Sequence, residues 1–231
     1  MEQLPTYTPI VFCLTTLLTL ALFFNVLHKS ELSRSNVRRI SIVLIAWLLI
    51  QMVIAISGFY ATNTTSLPPR FFLALSPPLI LMICLFLFEN GKAFMDKLPL
   101  YEVTWVNVVR IPVEFVLYWL FLQGTVPELM TFAGRNFDII AGLTAPFVAY
   151  FGFRRKNMGR KILLLWNILM LALLLWIVVN AMLSAPIAFQ QFAFDQPNIA
   201  VFYFPYNFLV AFIVPAVIFG HLVSIRQLSR S

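Results

Sequence analysis

Ionisable side chains are scarce in this sequence: only 11% of its 231 residues are Asp, Glu, Lys or Arg, against about 25% in an ordinary soluble domain. Cysteine and histidine number two each and glycine only eight. Cys13 and Cys84 each lie in an apolar run, which excludes a disulfide framework and a cysteine metal site. His28 and His221 are far apart, so neither a zinc cluster nor a bis-histidine haem is expected, and no metal or cofactor is assigned. No glycine-rich phosphate cradle is present, which argues against nucleotide-driven pumping. All five lysines (Lys29, Lys92, Lys97, Lys156 and Lys161) fall outside the apolar runs, so a retinal Schiff base has no partner.

Apolar residues, by contrast, make up 61% of the chain, with 24 phenylalanines. A globule of this size has too little interior to hide them, so much of that surface must face lipid. Crossing a bilayer as a helix takes about 20 apolar residues. Seven stretches qualify: 8–27, 40–60, 71–89, 103–123, 132–153, 162–183 and 201–223. The first lacks a basic flank before it and a small-residue cleavage site after it, so it reads as a retained helix, not a signal peptide. The expected fold is an all-α bundle of seven transmembrane helices forming a single domain over 1–231.

Basic residues set the orientation. With the N-terminus outside and the C-terminus cytoplasmic, the inner segments carry Lys29, Arg34, Arg38, Arg39, Lys92, Lys97, Arg154, Arg155, Lys156, Arg160, Lys161, Arg226 and Arg230. The outer segments carry only Arg70 and Arg135, while Arg110 lies within a span. The net charge of +7 is therefore an orientation signal that favours anionic lipid at the inner loops, not a nucleic-acid footprint. The plasma membrane is the expected location. The longest outer connection, 184–200, interleaves Phe189, Phe192 and Phe194 with polar residues and is expected to lie along the interface or over the bundle mouth. Pro69 and Pro77 before the third span are echoed by Pro197 and Pro205 before the seventh, and Gly91 by Gly220. The echo is compatible with two three-helix repeats joined by the fourth span.

Polar groups inside the spans mark the chemistry, because an unpaired charge at mid-membrane costs several kcal/mol. Thr104, Asn107, Arg110, Glu114 and Tyr118 recur at helical spacing and share one face of the fourth span. Arg110 and Glu114 are expected to pair across one turn, with Pro112 between them bending the helix. Arg135 and Asp138 open the fifth span and either pair together or reach the fourth, so that the four charges sum to zero, or Arg135 snorkels to the headgroups and leaves Asp138 as the better site candidate. Asn180, Tyr203 and Asn207 sit at a matching depth on the sixth and seventh spans and complete a pocket between spans four and seven. Glu89 and Asn90 mark a water boundary, and His221 is expected at the interface.

This pocket fits a transporter for a small molecule or ion. A ligand-binding sensor or a membrane subunit of a larger complex uses the same features without transport, and a lipid-modifying enzyme would employ Asp138 or Glu114 as acid or base. The partners expected are the bilayer itself and a small-molecule or ion ligand. The charge distribution yields a direct test on a background lacking Cys13 and Cys84. Thr65→Cys and Asp195→Cys should react with an impermeant thiol reagent in intact cells, whereas Asn36→Cys and Asn157→Cys should react only after permeabilisation; the reverse pattern would invert the topology.

Overall fold

The computed structural model describes residues 4–230. It is all-helical, with 74% helix and no strand among the described residues. The principal helices are α1 (Tyr7–Lys29), α2 (Arg34–Ile56), α3 (Phe72–Leu87), α4 (Glu89–Asp96), α5 (Leu100–Leu122), α6 (Ile139–Arg154), α7 (Arg160–Ser184) and α8 (Leu209–Arg230). Five of these, α1, α2, α5, α7 and α8, are long and apolar enough to cross a membrane. α3 and α4 together make a sixth candidate, bent by 95°. α6 is apolar but shorter; like α3 it has 16 residues, which rise only about 24 Å. This set is consistent with a polytopic membrane protein, as is the belt of exposed Leu14, Leu17, Val43, Val53, Ile56 and Phe147.

α8 is the central post. In its apolar window 72% of the residues are buried, against 17% for α2 at the periphery. Small residues let neighbours approach it: a Cβ on Gly220 would stand 3.3 Å from the Val103 side chain of α5. Prolines shape the helices around it. Pro112 has no N–H for the Val108 carbonyl, and the preceding residues tighten into a 3₁₀ turn, Val106–Val109. Pro215 likewise leaves the Ala211 carbonyl without its helical donor, beside a π turn at Leu209–Ile213. The indole Nε1 of Trp47 on α2 donates to that carbonyl at 2.9 Å.

Three expected spans shift. The second helix runs earlier, over 34–56. The fifth starts at Ile139, not 132, because residues 131–138 form a turn in which a Cβ on Gly134 would overlap the Glu128 carbonyl at 2.3 Å. The seventh starts at Leu209, not 201, because residues 200–208 hold a 3₁₀ turn and Pro205. The 184–200 connection folds over the bundle: the Ile199 N–H donates to the Thr125 carbonyl at 3.1 Å, and Phe189 stacks on Phe72.

The two glycines of the echo sit in different settings. Gly91 forms the α3–α4 bend, where a Cβ would lie 2.4 Å from the Leu85 carbonyl oxygen, while Gly220 sits inside an unbroken helix. Beyond the bend, α4 is tied to the end of α8. Arg226 donates twice to Asp96, each at 2.9 Å, and Gln227 Nε2 donates to the Met95 and Leu98 carbonyls at 2.8 and 2.9 Å. Trp47→Phe should lower thermal stability in detergent by about 0.5–1.5 kcal/mol, the net worth of one hydrogen bond. An unchanged melting temperature would mean that the carbonyl is served otherwise.

Candidate functional site

Arg110 emerges from the 3₁₀ turn of α5 with its guanidinium pointing towards α6, and is 3% exposed. Asp138 immediately precedes α6, one turn before Gly142. A Cβ on Gly142 would stand 2.7 Å from Ile111 and 3.4 Å from the Arg110 Cβ, so only glycine lets the two helices meet here. That approach sets Arg110 Nε 3.3 Å from Asp138 Oδ2. Arg110 Nη2 lies 3.5 Å from the Met170 carbonyl of α7.

The partner of Arg110 is thus Asp138, and the expected pairing with Glu114 is not formed. The Glu114 carboxylate is occupied by Asn136, whose Nδ2 donates to Glu114 Oε1 and to the Met130 carbonyl. Asn136 Oδ1 in turn accepts the Asp138 N–H at 3.0 Å. One buried amide therefore holds both acids in place. Arg135 stays outside this network: it lies in the turn ahead of α6 and is exposed. The expected neutral quartet becomes a buried trio of Arg110, Glu114 and Asp138, with one more acid than base. Glu114 Oε2, Asp138 Oδ1 and Arg110 Nη1 are buried and make no protein hydrogen bond among the described residues.

Glu114, Asn136 and Asp138 border a cavity of about 70 Å³, together with Asn198 from the segment before α8. The remaining wall is apolar and includes Phe71, Leu75, Leu174, Ile177 and Leu209. Its half-buried members Leu75, Val178, Met182 and Val210 lie on α3, α7 and α8. The cavity thus draws on α3 as well as on the four spans that the sequence pointed to.

The other expected residues lie apart from this cavity. Asn107 is buried and donates to the Thr104 carbonyl at 3.1 Å, and its Oδ1 has no hydrogen-bond partner among the described residues. Asn180 donates to the Trp176 carbonyl at 2.8 Å within its own helix. Asn207 donates to the Gln51 carbonyl at 3.2 Å, and Gln51 accepts from the Tyr60 hydroxyl at 2.7 Å. Tyr203 is half-buried, and Tyr118 stacks on Phe132. His221 is fully buried, not interfacial, with Nδ1 2.9 Å from Asn167 Oδ1. Sequence reasoning missed Asn136, Asn198 and Gln51. A signal existed for Asn136, a carboxamide two residues before a buried acid at a helix start.

No protein-family model, curated protein or solved structure matches this chain. The site therefore stands on its own geometry. In a double-mutant cycle, Arg110→Gln and Asp138→Asn should each destabilise by about 3–5 kcal/mol, as for breaking a buried pair. The double substitution should be milder than their sum, while the Arg110–Glu114 cycle should show weaker coupling. Gly142→Ala should reproduce part of the loss by forcing α5 and α6 apart. Equal coupling in both cycles would refute the assigned pairing.

Proposed function

We propose that the chain is a seven-span plasma-membrane transporter, N-terminus outside, for a small amphiphile whose head is cationic or donates hydrogen bonds. On this reading α6 and the bent α3–α4 pair complete the seven crossings, and the basic loops lie on the cytoplasmic side. The observation that carries the proposal is the pair of unpartnered acid oxygens, Glu114 Oε2 and Asp138 Oδ1, buried beside the cavity. Buried acceptors without donors are costly, and a ligand that supplies donors or positive charge relieves that cost. The apolar wall suits a ligand that carries an apolar portion beside its polar head. Arg110 then serves as the fixed counter-charge that keeps Asp138 in position. Asn136 orients both acids towards the cavity and away from each other's partners.

Proteoliposomes containing the purified chain test this with a fluorescent alkylammonium probe. Flux should exceed that of protein-free vesicles, and Glu114→Gln and Asp138→Asn should each reduce it about tenfold or more, the loss of one hydrogen bond to a charged group. Saturable binding without flux would favour a sensor. Neither binding nor flux, or variants indistinguishable from the parent, would overturn the assignment.

A further inference from the structure

A second cavity, of about 410 Å³, lies at the other end of the molecule, between the first turns of α2 and the face of α4 turned away from Asp96. Arg39 and Asn36 contribute from α2, and Asn90 and Lys97 from α4 and its C-terminal cap. Ile40 and Phe94 supply an apolar wall. No carboxylate is among the lining residues, and neither Arg39 nor Lys97 forms an ion pair among the described residues. We infer that this pocket binds the phosphate-bearing headgroup of an anionic phospholipid.

Three features converge on that ligand. The donor set is two cations and two carboxamides, which complements a phosphodiester with a polar substituent. The cavity also sits beside the start of α2, where the helix dipole adds positive potential and Ser33 caps the Asn36 N–H at 3.3 Å. Most telling is its place in the fold. α4 leaves the line of α3 at 95° and, held by Asp96 to Arg226 and Arg230 at the end of α8, runs across the ends of the spans. Lys97 and Asn90 are thereby carried to the level where spans end and headgroups begin. A free phosphate would use the cations but not the apolar wall, whereas a lipid uses both: its glycerol and first methylenes lie against Ile40 and Phe94. Basic pockets between helices at this level are a recurrent means of recognising anionic lipid. The inference requires that the chain sit in a bilayer; it does not require transport.

Native mass spectrometry of the full-length chain in detergent, with equimolar phosphatidylglycerol and phosphatidylcholine, tests it. The parent should retain phosphatidylglycerol about tenfold over phosphatidylcholine, given the contribution of each basic residue near anionic headgroups. Arg39→Gln with Lys97→Gln should bring the two lipids to parity while the melting temperature in phosphatidylcholine is unchanged. Arg39→Lys with Lys97→Arg, which keeps both charges, should keep the preference. Equal retention of both lipids by the parent, or an undiminished preference in the charge-free variant, would overturn the site. Displacement of the lipid by millimolar glycerol phosphate would overturn the lipid assignment in favour of a soluble phosphate compound.

Discussion

The ion pair between Arg110 and Asp138 is the constraint around which the interior is arranged. Two opposite charges removed from water are tolerable only when they meet closely and their remaining groups are served. Meeting requires α5 and α6 to touch, and Gly142 is the residue that permits it. It also requires Asp138 to be delivered at a fixed angle, which the 131–138 turn achieves by bonding Asn136 to the Asp138 backbone and to Met130. The 3₁₀ turn ahead of Pro112 presents Arg110 to that point. A single charge pair thus links a proline, a glycine and an asparagine that look unrelated along the chain.

Glu114 stands one turn further along α5 and has no cation of its own; its Oε1 is held by Asn136 and its Oε2 by no protein group among the described residues. Such an arrangement is an expensive way to stabilise a bundle. Leucine at the same place would pack without any desolvation cost, and replacing buried ionic groups with apolar ones is often neutral or favourable. The polarity is concentrated where the cavity lies, while the rest of the wall is hydrocarbon. That contrast is what makes the acids more readily understood as a site than as a fastening.

The long spans were legible because lipid-facing helices write themselves as unbroken apolar runs, as in α1, α5 and α7. The starts of α6 and α8 were not. Val201 and Phe202 are as apolar as any helix residue, yet they are buried in a short 3₁₀ turn, and hydropathy does not separate a buried turn from a membrane helix. Residues Arg110 and Glu114 were rightly placed on one face, but their pairing followed the four-residue spacing rule, and a tertiary partner displaced it. Asn136 takes the inward place that was expected of Arg135, for a reason the sequence conceals. In a turn, neighbouring side chains point in unrelated directions, so a charge faces out while the amide beside it faces in.

The shortness of α3 and α6 bears on the bilayer itself. Their rise of about 24 Å falls some 6 Å below the usual hydrocarbon depth. If these two helices cross a bilayer, as the proposed reading has it, the lipid beside them must thin, or polar ends must sink inward, each at a modest energetic cost per ångström. On that reading, thinning beside α6 also brings the aqueous boundary closer to Asp138, which immediately precedes that helix, shortening the insulating layer between water and the buried acids.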